Sequence, residues 1–169
     1  ITPPLGSIIP GSFSARYSDG VLKPLMARVF VASDGEEATA LAVIDSCGLY
    51  ADVAAGIREN VCKRCDIDPS GIMVMATHSH SAGPTLNWGE EIRVDSAYIN
   101  TLIQSTSDTI VEAYNNLKPS VMLTNSSTLE GVSFVRVFRM KDGGLKTNPG
   151  LHNPDIIEPA CEIDRELSV

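Results

Sequence analysis

From Ala38 to Ala76 the chain passes from one apolar run, ATALAVID at 38–45, to another, GIMVMA at 71–76. Between them lies a stretch of helical period. Val53, Ile57 and Val61 recur every four residues within 50–65, as one face of a helix does, and Asp68-Pro69 closes that segment. A strand, helix and strand in this order predict two parallel strands, because a helical crossover returns the chain to start the second strand in the same direction. Upstream, LMARVFVAS at 25–33 alternates as a strand does, and the turn residues DGEE at 34–37 join it to 38–45 as a hairpin. The expected fold class is therefore α/β, a mixed sheet with a parallel strand-helix-strand unit and flanking helices.

The rest of the chain fits around that unit. ITPPLGSIIPGS at 1–12 is too rich in proline and glycine to be regular over most of its length. Ile99, Leu102, Ile103, Thr106, Ile110, Ala113 and Leu117 predict one face of a long helix, capped by Asp95 or Ser96 and ended by Pro119. Residues 121–128 and 132–140 read as a further pair of strands joined across 129–131. Segment 141–169, with its prolines and glycines, reads as irregular, and such segments are either functional or packed against something else.

A chain of 169 residues is expected to form a single domain, 1–169, and its 43% hydrophobic and 20% charged residues are those of a globular protein. A net charge of -8 argues against nucleic acid or an anionic membrane as the main partner, since both call for a basic surface. No apolar run approaches the eighteen or so residues of a transmembrane segment. Small or neutral molecules fit this composition better. The chain opens at Ile1 without a charged-then-apolar leader, and no localisation is readable from that end.

Two of the three histidines stand together in MATHSHSAGP at 75–84. His78 and His80 follow the end of a buried parallel strand, where open α/β sheets place their ligand crevices. In an extended segment residues two apart face the same side, so both imidazoles can enter one pocket as metal ligands or as an acid and base. Gly83-Pro84 would fix the segment by a turn. The alternative is a pair of hydrogen-bonded loop side chains. A metallo-lactamase pattern would place an aspartate and a further histidine where Ser81 and Ala82 stand, and an amidohydrolase barrel of about 250 residues exceeds this chain. Cys47, Cys62, Cys65 and Cys161 read as free thiols. Cys62 and Cys65 have CxxC spacing, but they fall at the end of a helix, whereas redox pairs use the N-terminal dipole.

MATHSHSAGP resembles the ATHTHSGP-like segment of the neutral/alkaline ceramidases, with Ala82 inserted between serine and glycine. ITPPLG, RYSDGVLKPLMARVFVAS, LAVIDSCGL and FVRVFRMKDGGLKTNPGLHNPDIIEPACEIDREL are similar to consecutive segments of that family, in the family's order, so the resemblance spans nearly the whole chain. It implies a zinc-dependent hydrolase of N-acyl amide bonds acting on an N-acylsphingosine-type, lipid-like substrate in sphingolipid metabolism, in a secreted or periplasmic setting. By resemblance His78 is the first zinc ligand, His80 contacts the reacting group, and Arg136 faces the active site. Asp45 is read as a carboxylate that orients a histidine, and His152 as a loop residue. Val135 stands where the family has asparagine, which bears on substrate recognition. The family's remaining histidine, glutamate and tyrosine ligands have no counterpart here. The expectation is therefore an N-terminal portion of a larger hydrolase domain, inactive alone, completed by a missing C-terminal region or by a homo-oligomer. The competing expectation is a non-catalytic binding or assembly module with an incomplete metal site, and a weaker one is a dithiol module built on Cys62 and Cys65.

Overall fold

The proline-rich N-terminal segment contributes only two short strands, β1 (Ile8–Ile9) and β2 (Arg16–Tyr17), which pair antiparallel in this computed structural model. The structure describes residues 1–12 and 14–169. The chain forms two compact units, Ile1–Lys118 and Pro119–Val169.

The first unit is α/β. β3 (Ala27–Ser33) and β4 (Ala38–Ile44) form the expected hairpin, and the Asp34 carboxylate closes its turn by accepting the backbone N–H groups of Glu36 and Glu37, each at 2.9 Å. Helix α1 (Ala51–Cys62) then leads to β5 (Ile72–Ala76), which pairs parallel to β4, giving the sheet order β3-β4-β5. β4 buries Ala38, Ala40, Ala42 and Ile44 on one face. Three of those four are alanines, which lets helical side chains approach the central strand closely. Val53, Ile57 and Val61 of α1 join that core as their four-residue spacing foretold. Full burial of an isoleucine or leucine here contributes roughly 1.5–3 kcal/mol of transfer free energy.

Helix α2 (Ser96–Asn115) is capped by Asp95, whose carboxylate accepts from the N–H groups of Ala97 and Tyr98. It buries Leu102, Thr106 and Ile110 as expected, but also Tyr98, Ser107 and Val111. Leu117 lies beyond the helix and is exposed, because the Asn116 N–H bonds back to the Glu112 and Ala113 carbonyls and ends the helix first. Arg64, just after α1, forms an ion pair with Asp108 of α2. Among the described residues, no helix is long and apolar enough to cross a membrane.

Tyr98 is a buried titratable group of this core. Its hydroxyl donates to the Ile1 carbonyl at 2.8 Å, and burial pushes its pKa up to about 12 from 10.0. The folded protein keeps a proton that the unfolded chain releases between those values. This contribution to stability is whole below pH about 10 and is lost as pH rises to about 12. We expect Tyr98→Phe to flatten the alkaline decline in stability measured by urea unfolding across that window. A slope as steep as in the wild type would assign the titration to another group.

In the second unit the strands are shorter and paired differently from the sequence expectation. β6 (Ser126–Thr128) and β7 (Val137–Met140) do not pair with each other. β6 pairs with β10 (Glu166–Ser168), while β7 lies between β8 (Leu145–Thr147) and β9 (Ile156–Pro159). Segment 141–169, expected to be irregular, thus supplies three of the five strands of this unit. Its turns are built on positive-φ residues, Gly143, Asn148, Gly150 and His152, which interrupt any sequence periodicity while allowing short strands between them.

Candidate metal centre

Because β4 and β5 run parallel, their carboxyl ends lie side by side, in the register that pairs Ile44 with Ala76. The pairing continues beyond both strands. Thr77 N–H donates to the Ile44 carbonyl and Ser79 N–H to the Ser46 carbonyl, each at 3.0 Å. Residues 45–47 therefore run beside 77–79, at the strand ends where α/β sheets present ligand sites.

His78 does not continue the extended backbone that the His-x-His spacing suggested, for its φ is +60°. That left-handed conformation costs a side-chain-bearing residue roughly 1–2 kcal/mol. It carries the imidazole to the Cys47 carbonyl, 2.6 Å from His78 Nδ1. A carbonyl can only accept, so Nδ1 holds the proton in this bond, and Nε2 is the ring nitrogen left to bind a metal. His80 Nε2 stands 3.3 Å from that atom, and the two rings meet edge to face with centroids 4.8 Å apart. The two histidines do converge, through a turn at His78 rather than through strand alternation.

Cys47 adds a third donor. One ligand atom from each of Cys47, His78 and His80 lies within 4.8 Å of the others, with Cys47 buried and both histidines exposed, so the group could hold a metal ion. Burial pushes the Cys47 thiol up from its ordinary value, so it is protonated until a cation or base draws the proton away. The sequence reading left Cys47 among the free thiols. The only sign of its place was its position three residues past the end of a strand, and that sign acquires meaning once the parallel register is known.

The N-terminal hairpin holds His80 from the other side. Arg16 Nη2 donates to the His80 carbonyl at 2.6 Å. Gly11 packs so closely that a Cβ there would stand 2.7 Å from His80 Cγ, and its φ of +94° also favours glycine. Beyond His80 the chain plunges inward, with Ala82, Pro84 and Thr85 all buried.

Asp45, Arg136 and His152 each have surroundings of their own. The Asp45 carboxylate accepts the Met26 N–H at 2.9 Å and pairs with Arg28 at 3.2 Å. The group that orients a histidine is the Cys47 carbonyl, and Asp45 instead ties β3 to the end of β4. Arg136 belongs to the second unit, is exposed, and donates through Nε to Asn148 Oδ1 at 3.2 Å. His152 occupies a turn of that unit. All four cysteines are free. The Cys62 thiol donates to the Ile67 carbonyl at 3.2 Å, and burial raises both Cys62 and Cys65, opposite to the lowered pKa of a redox thiolate.

A cavity of about 540 Å³ opens in the first unit between the N-terminal segment and β3, a volume suited to a small ligand. Ser79, Ser81 and Ala82 line it together with Arg28, Asp45, Ile8 and Leu25. The two histidines do not. The serines that alternate with them reach this cavity, so one short segment serves both features.

No family model matches this chain, and no curated protein matches it.

Proposed function

We propose that this protein carries the metal-binding part of a zinc-dependent hydrolase of N-acyl amide bonds, of the ceramidase kind. The observation that carries the reading is the 3.3 Å approach of His78 Nε2 to His80 Nε2, with the His78 tautomer set by the Cys47 carbonyl. The segmental resemblance to the ceramidases supplies the substrate class, an N-acylsphingosine. Zinc at such a centre would lower the pKa of a bound water to about 7 and polarise the amide carbonyl. His78 would hold the metal through its bare Nε2, while the Nδ1–H bond keeps that ring from turning. The cavity lined by Ser79 and Ser81 would take part of the substrate. Arg136 enters the proposal only through the resemblance, as a group that would steady developing negative charge.

A second reading, a binding module without catalysis, is favoured by one observation. The cavity wall contains the serines and not the imidazoles. A ligand seated there need not meet the metal.

The test is zinc stoichiometry on the purified chain, followed by an N-acylsphingosine cleavage assay before and after chelation. About one zinc per chain with cleavage lost on chelation supports the hydrolase. Zinc without cleavage supports a metal-binding part that is inactive alone. Absence of zinc at micromolar metal overturns the hydrolase and leaves the binding module standing.

A further inference from the structure

We propose that Cys47 is the third protein ligand of this centre, so that its thiolate and the Nε2 atoms of His78 and His80 hold one divalent transition metal and leave a fourth position open. This rests on reading the histidine pair as a metal site, and it adds that the first unit supplies three ligands by itself. Two nitrogens bound at about 2.0–2.1 Å in a tetrahedral shell stand about 3.4 Å apart. The two Nε2 atoms are already at 3.3 Å. A zinc-sulfur bond of about 2.3 Å sets the sulfur about 3.6 Å from each nitrogen. One ring nitrogen of each histidine lies within 4.8 Å of the Cys47 sulfur, so side-chain shifts of about 1 Å would bring the thiolate into the shell.

The surroundings favour sulfur over a carboxylate. Asp45, the nearest acidic residue in sequence, is held by Met26 and Arg28. Residue 47 reaches the centre by two routes, its carbonyl orienting His78 and its side chain offering the soft donor. One thiolate with two imidazoles suits zinc, cobalt or copper and not magnesium or calcium. Three protein ligands with an open position are the arrangement of catalytic zinc, where a structural site would be closed by four.

The experiment is cobalt(II) titration of the whole chain, followed by absorption. The expected result is one cobalt per chain, four-coordinate visible bands, a near-ultraviolet sulfur-to-cobalt charge-transfer band, and displacement of all of these by zinc. Cys47→Ser should lose the charge-transfer band and bind at least about 100-fold more weakly, since even partners outside the ligand shell cost 10–100-fold. Cys62→Ser and Cys161→Ser should retain both. Zinc-edge X-ray absorption of the wild type checks the same point without a variant, and one sulfur at about 2.3 Å among nitrogen and oxygen ligands is expected. Cobalt bound without the band, and equally tightly by Cys47→Ser, overturns the thiolate ligand and leaves the histidine site standing. A charge-transfer band lost only with Cys62 or Cys161 overturns it too. A chain that binds no cobalt or zinc overturns both this inference and the hydrolase reading.

Discussion

His78→Ala is expected to leave the protein folded and to weaken zinc binding at least about 100-fold in calorimetric titration, by the same ligand-loss reasoning. The imidazole is exposed, so its removal opens no core cavity. His80 is exposed too, so its ring nitrogen can turn to water. What is lost is the bare Nε2 that the Cys47 carbonyl bond holds in place. The backbone must be separated from the side chain, because residue 78 sits at φ +60°, where alanine is strained much as histidine is. His78→Gly therefore makes the better pair to His78→Ala. It should bind zinc as poorly while raising the stability of the metal-free protein by about 1 kcal/mol, since glycine adopts that conformation freely. Wild-type zinc affinity in His78→Gly would remove His78 from the ligand set.

The second large effect is on stability. Gly83→Ala would place a Cβ 2.4 Å from Tyr98 Cζ, 2.5 Å from Cε1 and 2.6 Å from the hydroxyl oxygen. The ring is buried in the first turn of α2, and its hydroxyl is committed to the Ile1 carbonyl. Overpacking costs about 1–3 kcal/mol, and a displaced hydrogen bond about 1 kcal/mol more. A loss of roughly 2–4 kcal/mol in urea unfolding is expected. The mechanism has its own signature in a double-mutant cycle. Tyr98→Phe keeps the offending ring carbons and should not rescue Gly83→Ala, whereas Tyr98→Leu should recover part of the loss. Gly83→Ala within about 0.5 kcal/mol of the wild type, the ordinary scatter of surface substitutions, would show that the two groups do not meet in this way.

The first unit was largely legible because its elements announce themselves locally. Alternation in 25–33 and 38–45, the four-residue recurrence of Val53, Ile57 and Val61, and the short run 71–76 each depend on neighbours in sequence, and the parallel pairing follows from their order. Tyr98 and Ser107 escaped because an apolar stripe omits a tyrosine with a polar tip and a serine that bonds to the Ile103 carbonyl within its own helix. The strands at 121–128 and 132–140 were overread. Apolar residues such as Val121, Met122 and Leu123 are exposed there, so hydrophobicity in that stretch did not signal a buried strand. The true partners lay in 141–169, whose glycine and proline content hid them. At the metal centre the histidines were visible as a spacing. Cys47 was not, because its meeting with them is set by strand register, and the bond that Asp45 accepts from Met26 likewise has no sequence signature.

The bond from Arg16 to the His80 carbonyl spans 64 residues of chain, and that from His78 to the Cys47 carbonyl spans 31. Closing loops of such length carries an entropy that no local turn can offset, and non-local contacts of this kind slow folding. The centre is consequently expected to form late in the folding reaction. Its geometry comes from the assembled sheet and hairpin, and the HSHS tetrapeptide does not carry it alone. A metal that binds the finished shape in preference to the loose chain would then act as a latch, slowing the opening of the N-terminal hairpin from the strand ends.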